Sequence, residues 1–318
     1  MKIGYIGGFW ATNIGNSFYD LGAISLLENI YGKENVYFIP DMANWFWKVN
    51  NNYEPLNDVN LDICLFAGPL FNKGINNYKT IFDNLVKKDI KIGFISSGAS
   101  LYSIEEKNNV FNFLNQYKKN ISFISTRDNE TYELYKDFGV NCYNGLCTSM
   151  FLNDAVNLPI LEKDYTVFNF HYFKEPFIDL VSNNVIIDKR PSLFSFQKSL
   201  GNNDIVRTNH ETFTKFKWLL FNRPNMYYCD MPYGYLAIYK SSKYVFSDRV
   251  HTCAATLILG GTAMYIKGSK RSNDGRNNLF KRIGVEDIYI KPKKLNFEYI
   301  NQEKIKMIDF IKMNMEKL

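Results

Sequence analysis

The sequence predicts an α/β protein built from two Rossmann-like, doubly wound domains. The first half alternates short apolar runs with helical stretches, which is typical of a parallel sheet covered on both faces. A second alternation begins at Tyr165. Between the two lies a polar stretch with one proline, residues 153–163, which is typical of a linker. We therefore expect an N-terminal domain over residues 1–155 and a C-terminal domain over residues 164–318.

Apolar and β-branched runs predict the strands of the first domain, and helical spacing of apolar residues predicts its helices. The run at residues 62–67 is apolar after its first residue, which indicates a strand buried on both faces. Strands are predicted over residues 2–6, 36–39, 62–67, 91–96, 121–125 and 140–143. Helices are predicted over residues 17–31, 78–86, 105–117 and 130–138, the last closed by Gly139.

The second domain is predicted by the same signals. Strands are predicted over residues 165–170, 185–188, 226–229, 244–246, 263–266 and 287–289. Helices are predicted over residues 211–221, 233–241 and 252–259. The last segment, residues 302–315, has apolar residues at helical spacing, so we expect an amphipathic helix that packs back on the body of the protein.

The stretch from residue 244 to residue 266 predicts a strand–loop–helix–strand unit, in which Gly260 and Gly261 stop the helix. Its polar cluster is Ser247-Asp248-Arg249-Val250-His251, which follows the strand and opens the helix. Ligands of open α/β sheets bind at this edge, where the helix terminus also offers free N–H groups to an anion. The cluster is therefore the first candidate site.

The spacing within this cluster favours a shared task. Alternate residues of an extended chain point the same way, so Ser247, Arg249 and His251 would face one side and Asp248 the other. Arginine can hold a carboxylate or a phosphate with two hydrogen bonds, and histidine is the usual acid or base near neutral pH. The alternative is structural: Arg249 pairs with Asp248, and His251 caps the helix.

The loop after the first strand is a second candidate site. It is rich in glycine and contains Asn13, Gly15, Asn16 and Ser17. It is neither a dinucleotide-binding fingerprint nor a phosphate-binding loop, because the required glycine and lysine spacings are missing. We expect it to contact a ligand, and the alternative is that the glycines serve only the geometry of the turn.

Two further groups of cations follow predicted strand ends. Arg127 follows the strand at residues 121–125, and the alternative to a ligand contact is a loop-tying pair with Asp128 or Asp137. Lys267 and Arg271 lie in a basic loop after the strand at residues 263–266. That loop could close over an anion, and the alternative is a solvated loop.

Composition excludes several classes of protein. The net charge of +6 is compatible with a phosphorylated or acidic substrate, but it is too diffuse to indicate nucleic-acid binding. Five scattered cysteines without a Cys-x-x-Cys pair are typical of reduced thiols in a cytoplasmic protein. Three histidines argue against a zinc site built from histidines. No apolar run is long enough to cross a membrane, although attachment at the inner face of a membrane is compatible with the sequence.

Three motifs together resemble those of the polysaccharide pyruvyl transferase family. Gly4-Tyr5-Ile6-Gly7 with Asn13-Ile14-Gly15-Asn16 is similar to the family's opening strand and Asn-Ile-Gly-Asp loop. Ser125-Thr126-Arg127-Asp128 is similar to its Ser-x-Arg-Asp element. Ser247-Asp248-Arg249-Val250-His251 is similar to its Ser-x-Arg-x-His motif. Their order and spacing span nearly the whole chain.

The resemblance implies a GT-B-like arrangement with the site in the cleft between the domains. It implies transfer of a pyruvyl group from phosphoenolpyruvate to two hydroxyls of a cell-surface glycan or its lipid-linked precursor, forming a ketal. Arg249 and His251 would be catalytic, with Asp248 as orienting group or base. Ser247, Arg249, Lys267 and Arg271 would hold the donor, and no cofactor or metal is demanded.

By the same resemblance the N-terminal domain would be the acceptor side, with Asn13, Gly15, Asn16, Ser17 and Arg127 as acceptor or loop residues. The sequence departs from the family pattern in three places, which bears on acceptor choice and activity: Asn16 replaces an aspartate, Cys147-Thr148-Ser149 replaces Asp-Pro, and Thr262-Ala263 replaces a proline after glycine. Two alternatives stay open, namely a GT-B glycosyltransferase that uses a nucleotide sugar and a non-catalytic glycan-binding relative.

Overall fold

The computed structural model shows two parallel β-sheets and one small antiparallel hairpin. The structure describes residues 1–8, 10, 12–40, 59–100, 102–171, 175–181, 184–188, 204–211, 225–267 and 275–318. Among the helices of these residues, none combines the length and the apolar character needed to cross a lipid bilayer. The predicted α/β class is confirmed by the two sheets and the helices around them.

The first sheet contains six parallel strands, and all six were predicted. They are β1 (Ile3–Gly7), β2 (Val36–Pro40), β3 (Ile63–Phe71), β4 (Lys91–Ala99), β5 (Ile121–Thr126) and β6 (Asn141–Asn144). Their spatial order is β2-β1-β3-β4-β5-β6. The order reverses between β1 and β3, so the carboxyl ends of these two strands flank the crevice where such sheets bind ligands.

Four helices accompany this sheet, and side-chain caps explain where the first and the fourth begin. They are α1 (Ile14–Tyr31), α2 (Lys79–Lys87), α3 (Ile104–Tyr117) and α4 (Asn129–Tyr135). The first begins three residues earlier than predicted because the Asn13 side chain caps it by accepting the Gly15 N–H. The fourth begins after Asp128, whose carboxylate accepts the Thr131 N–H at 2.7 Å.

The second sheet has five parallel strands with a hairpin inserted after the first. The strands of this half are β7 (Tyr165–Asn169), β8 (Phe177–Val181), β9 (Asn184–Asp188), β10 (Asp204–Thr208), β11 (Met226–Tyr227), β12 (Tyr244–Ser247) and β13 (Ala263–Tyr265). The order in the sheet is β11-β10-β7-β12-β13, while β8 and β9 pair only with each other. The order reverses between β7 and β12, which places the Ser247–His251 cluster at the second crevice.

The structure corrects the sequence-based prediction of this half in two places. The strand predicted at residues 185–188 exists, but it belongs to the hairpin, and the unpredicted β10 takes its place beside β7. The strand predicted at residues 287–289 is wrong, because Glu286–Tyr289 forms a 3-10 helix closed by the Ile288 N–H on the Val285 carbonyl. The edge of β13 pairs instead with Lys293. The helix predicted at residues 211–221 lies outside the described residues apart from its first position.

The helices of the second half are α5 (Leu152–Ala155), α6 (Pro232–Ser241), α7 (Val250–Ile258), α8 (Asn278–Arg282) and α9 (Phe297–Met315). The helix α5 and the 3-10 turn before it, Thr148–Phe151, were not predicted, and α5 overlaps the start of the predicted linker. Both segments pack against α1 and α7. They therefore join the first sheet to the second.

The C-terminal helix α9 crosses back to the first sheet, as expected for a helix that packs on the body. The Asn141 side chain donates to Asn314 at 2.7 Å, and the ring of Phe310 stacks on Tyr143 with centroids 4.9 Å apart. Buried apolar side chains from both sheets and from α9 form one continuous core. The division of the chain at residues 155 and 164 stays a prediction.

Replacing Gly22 with alanine is expected to destabilise the fold by about 1–3 kcal/mol, the usual cost of overpacking a core. Gly22 lies on the face of α1 that touches the Thr148–Phe151 turn, and an added Cβ would overlap the Thr148 carbonyl group. Ser25→Ala, one turn later on the same helix, is the control. Urea denaturation of both variants would measure the difference, and equal stability would show that α1 can shift away from the turn.

Candidate active site

The carboxyl ends of β7 and β12 are locked together by Ser247 and Asn169. The Ser247 hydroxyl lies 2.9 Å from the Asn169 carbonyl and 3.0 Å from its side-chain oxygen, and it accepts the Arg249 N–H at 2.9 Å. Both residues are buried. The contacts give Ser247 a role in holding the chain at the crevice, while its predicted contact with a donor stays a prediction.

Asp248 ties the same two strand ends from the other side. Both of its carboxylate oxygens accept the backbone N–H of His171, at 3.1 and 3.0 Å. The His171 ring reaches Glu211 at 2.8 Å, and Glu211 in turn lies 3.7 Å from the Arg249 guanidinium. These contacts place Asp248 among backbone groups of β7 and place Arg249 in a cluster with a carboxylate and a histidine.

His251 lies inside the helix, which changes the geometry expected for an extended cluster. Arg249 is extended (φ −115°, ψ 122°) and precedes α7, whereas His251 is the second residue of that helix. The two side chains therefore do not follow the alternation of a strand. The His251 ring packs on Tyr19 of α1, with centroids 5.2 Å apart, and its Nε2 lies 3.9 Å from the Cys147 sulfur. These contacts come from the first half of the chain.

The loop after β1 forms the start of α1 and meets the second sheet. The Ile14 N–H donates to the His210 carbonyl at 2.8 Å, and a side chain at Gly15 would lie 2.6 Å from the His210 ring. The absence of a Cβ at Gly15 therefore allows His210 to pack here. The Ser17 hydroxyl donates to the Ile14 carbonyl at 2.6 Å, so it is satisfied within the helix.

Asp20 holds this loop in place from within α1. Its carboxylate is fully buried and accepts hydrogen bonds from the Tyr5 hydroxyl at 2.6 Å, from the Gly8 N–H at 3.1 Å and from the Trp10 indole at 2.7 Å. Burial, followed by the nearby Asp20 charge, raises the pKa of Tyr5 well above its ordinary value. The first strand, the loop and the helix are thus fixed around one carboxylate.

Arg127 is the most deeply buried cation among the described residues, with 1% of its surface exposed. It lies 3.9 Å from Asp128, beyond hydrogen-bond distance, and its Nε and one terminal nitrogen have no hydrogen-bond partner within the described chain. A side chain at Gly98 would overlap the guanidinium. The hydroxyls of Ser97 on β4 and of Ser125 on β5 are also buried without a hydrogen-bond partner in the described chain.

Asp128 approaches Arg127 without forming a hydrogen bond: its Oδ2 lies 3.9 Å from the Arg127 Nε, and neither atom has a hydrogen-bond partner within the described chain. Its Oδ1 accepts the Thr131 N–H and also the Tyr102 hydroxyl, at 2.9 Å. Burial raises the pKa of Asp128, and the Arg127 charge reduces that shift. The alternative predicted from sequence, a loop-tying pair with Asp128, is present only as a long ion pair. The guanidinium is left with unused hydrogen-bonding capacity in a buried place.

The predicted basic loop is described only at its start. Lys267 follows β13, is exposed, and lies over the Tyr289 ring with its nitrogen 5.8 Å from the centroid. Arg271 lies outside the described residues, so its predicted contact with a donor stays a prediction. The same holds for the catalytic assignments of Arg249, Asp248 and His251, for which the structure gives positions and neighbours.

A cavity of about 470 Å³ opens at the carboxyl ends of β1 and β3, beside the loop that holds Asn13 and Asn16. Its volume falls within the range of small-molecule sites. Tyr19 contributes to the wall of the cavity and also touches the His251 ring. The first crevice and the Ser247–His251 cluster are thus linked through one side chain.

Sequence reasoning missed three side chains that the structure brings to this region: Tyr19, Cys147 and His210. Tyr19 carries no signal, because a tyrosine at helical spacing is normally a core residue. His210 follows a strand that was not predicted. Cys147 stood out only as a departure from the family pattern, and its contact with His251 arises from the fold.

Comparison with known proteins identifies the family and the fold. A family model described as polysaccharide pyruvyl transferase matches residues 13–267. No curated protein matches the chain. Among solved structures, the UDP-GlcNAc 2-epimerase from Neisseria meningitidis bound to UDP-GlcNAc superposes with a TM-score of 0.53 at 10% identity, covering 98% of this chain and 99% of the other.

Two other structures show the same likeness. A putative UDP-N-acetylglucosamine 2-epimerase from Listeria monocytogenes gives a TM-score of 0.51 at 11% identity, covering 99% of this chain and 89% of that one. The MnaA–UDP structure from S. aureus gives 0.50 at 11% identity, covering 97% and 88%. At such identity the likeness shows the fold alone, which is GT-B-like with two parallel sheets. The chain belongs to the polysaccharide pyruvyl transferase family, as the three motifs indicated.

Proposed function

We propose that this protein transfers the pyruvyl group of phosphoenolpyruvate to two hydroxyls of a glycan or a lipid-linked sugar, forming a cyclic ketal. The observation that carries the proposal is the buried Arg127 guanidinium, two of whose nitrogens have no hydrogen-bond partner among the described residues. A buried cation with open donors is costly to maintain, and an anionic ligand removes that cost. Phosphoenolpyruvate carries a phosphate and a carboxylate close together.

Arg127 and Arg249 are the two cations that we assign to this donor. Arg127 follows β5 in the first sheet, and Arg249 follows β12 in the second. The family resemblance grouped Arg127 with the acceptor or loop residues, but its open guanidinium nitrogens fit an anionic group better. Ser247 and Asp248 hold the chain that carries Arg249, and Lys267 and Arg271 remain additional donor contacts in the proposal.

His251 supplies the proton in the proposed reaction. The methylene carbon of phosphoenolpyruvate takes a proton and becomes a methyl group, while a sugar hydroxyl attacks the neighbouring carbon. The bond from that carbon to the phosphate oxygen then breaks, and the second hydroxyl closes the ring. One of the two hydroxyl protons returns to His251, which gave its proton to the methyl group. The other hydroxyl proton leaves with inorganic phosphate. The reaction therefore needs one acid–base group and anion contacts, which His251 and the two arginines provide.

The first test is replacement of Arg127 by glutamine. We expect the affinity for phosphoenolpyruvate to fall by about 10- to 100-fold, since hydrogen bonds to charged groups contribute about 1.5–3 kcal/mol. The melting temperature of each free protein is the baseline for its own protection, because the variant also removes the positive charge 3.9 Å from the buried Asp128. Binding is measured by the increase in melting temperature with added phosphoenolpyruvate, and turnover by phosphate release with a panel of glycan acceptors.

Lys136→Gln is the matched control, because it removes one positive charge just beyond α4 from an exposed ion pair with Glu133. Equal protection of wild type and Arg127→Gln by phosphoenolpyruvate would contradict the assignment of Arg127. Protection by UDP, with none by phosphoenolpyruvate, would favour the nucleotide-sugar alternative. Glycan binding without phosphate release from any acceptor would favour the non-catalytic alternative.

A further inference from the structure

The thiol of Cys147 lies where the two halves of the chain meet, and the proposed reaction makes no use of it. Cys147 follows β6, is fully buried, and places its sulfur 3.9 Å from the Nε2 of His251. A thiol can accept or donate a weak hydrogen bond. Cys147 also begins the segment in which the sequence departs from the family pattern, so the family motifs did not predict this contact.

The backbone around Cys147 is fixed by contacts with other parts of the chain. The Cys147 carbonyl accepts the Met150 N–H at 2.9 Å, and the Thr148 N–H donates to the Ser96 hydroxyl at 2.9 Å. Ser96 has a φ of 60°, a left-handed conformation that a residue with a side chain adopts only at a cost. The turn after Cys147 packs against α1 and α7. Cys147 therefore presents its sulfur from a rigid support.

The ring of His251 is held from two directions. It packs on Tyr19 of α1, with the ring centroids 5.2 Å apart, and its Nε2 edge meets the Cys147 sulfur. The two nitrogens of an imidazole lie on different edges of the ring, and the hydrogen bond that one makes decides which of them carries the proton. A ring that turns Nε2 toward Cys147 therefore turns Nδ1 away from it.

We propose that Cys147 is a positioning residue: its sulfur accepts the Nε2–H of His251, which fixes the rotation and the tautomer of the ring. In the proposed reaction Nδ1 then gives its proton to the methylene carbon and takes one back from a sugar hydroxyl, while Nε2 keeps its own. This role in catalysis rests on the proposed function, whereas the hydrogen bond between the ring and the thiol does not.

The first experiment measures acceptor-dependent phosphate release by Cys147→Ala. We expect kcat to fall about threefold to tenfold, the effect of one neutral hydrogen bond, with KM for phosphoenolpyruvate unchanged. Cys147→Asn should be more active than Cys147→Ala, because its side-chain oxygen can accept the Nε2–H. Cys253→Ala is the matched control and should retain wild-type turnover, since it removes a buried thiol within α7 whose sulfur contacts the Met264 carbonyl instead.

Combination with His251→Gln separates a positioning role from a merely structural one. If Cys147 acts only through the ring, Cys147→Ala should have no further effect on kcat in the His251→Gln background. A thiol that only supports the fold would instead lower the activity of both backgrounds by the same factor.

NMR of the ring nitrogens, in protein with isotope-labelled histidine, tests the contact without any substrate. The chain has three histidines, and the signals of His251 are those lost in His251→Gln. In the wild type the neutral ring should carry its proton on Nε2. Cys147→Ala should shift the Nε2 signal, while Cys253→Ala should leave it in place.

Three outcomes would overturn the inference. They are a neutral His251 ring protonated on Nδ1 in the wild type, full activity of Cys147→Ala, and losses that multiply in the double variant. Failure of the proposed function gives a different result. A wild-type protein that releases no phosphate with any acceptor has no such reaction for Cys147 to support, while the ring-nitrogen signals still show whether the thiol holds His251.

Discussion

Replacing His251 with alanine is expected to lower acceptor-dependent phosphate release from phosphoenolpyruvate by about 10²- to 10⁴-fold, the usual contribution of a positioned acid or base. His251 lies at the start of α7 and contacts Tyr19 and Cys147, which belong to the first half of the chain. In the proposed reaction the proton for the methylene carbon comes from this ring, which lies where the two halves of the chain meet.

His251→Gln separates the loss of the proton from the loss of the ring's volume. Glutamine keeps a polar side chain beside Cys147 but cannot act as an acid or base near neutral pH. Both variants should lose turnover while their affinity for phosphoenolpyruvate, measured by thermal protection, changes little. If His251→Gln retains activity within about tenfold of the wild type, the ring only fills space between α7 and α1, and the acid must be sought elsewhere.

Arg282→Met is expected to destabilise the protein by up to about 3–5 kcal/mol, because it leaves the buried carboxylate of Glu303 with only the exposed Lys306 as its partner. Arg282 is 7% exposed, forms an ion pair with Glu303, and donates to the Tyr299 hydroxyl at 2.6 Å and to the Asn144 carbonyl at 3.0 Å. These contacts join α8 to α9 and to the end of β6. Urea denaturation would measure the change in the free energy of unfolding.

The double variant Arg282→Met/Glu303→Leu should recover most of that loss, since a buried ion pair can often be replaced by apolar side chains. Lys136→Met, which breaks an exposed pair, should change the free energy of unfolding far less than Arg282→Met does. If the double variant is as unstable as Arg282→Met, the hydrogen bonds to Tyr299 and Asn144 contribute more to the free energy of unfolding than the ion pair does.

The same pair makes stability depend on pH. Burial acts to raise the pKa of Glu303, but hydrogen bonds from Lys306 and Arg282 outweigh it and hold the pKa below its ordinary value. A depressed carboxyl pKa contributes stability above the pKa of the unfolded chain, about 4.3 for glutamate. That contribution is lost as the pH falls through the folded pKa. The free energy of unfolding of the wild type should therefore fall more between neutral and acidic pH than that of the double variant. Urea denaturation of both proteins at the two pH values would measure this.

The motifs located the polar ends of the strands but not the contacts of each side chain. Arg127 shows the difference. Its position after an apolar strand predicted a place at the edge of the sheet, because parallel strands end together. Its burial depends on Gly98, on the neighbouring strand, where any side chain would overlap the guanidinium. The sequence pattern around Arg127 does not specify contacts with residues on the neighbouring strand.

The second half was predicted less completely, for identifiable reasons. The hairpin of β8 and β9 and the strand β10 interrupt the simple alternation, so the residues that pair beside β7 were misplaced. The strand predicted at residues 287–289 rested on a run too short to specify a strand. Local hydrogen bonds form a 3-10 helix there instead. His251 entered the helix because α7 begins directly after Arg249, and helical geometry then decided which neighbours its ring met.

The sequence alone determined the α/β class, the six strands of the first sheet, the family and the candidate cluster at residues 247–251, because each depends on local periodicity or on a short motif. Tertiary structure alone brought Cys147 and Tyr19 to His251, placed His210 against Gly15, left Arg127 buried with open donors, and formed the cavity beside β3. These features join residues far apart in the chain. They are decided by how two sheets and their helices pack, which the spacing of neighbouring residues does not specify.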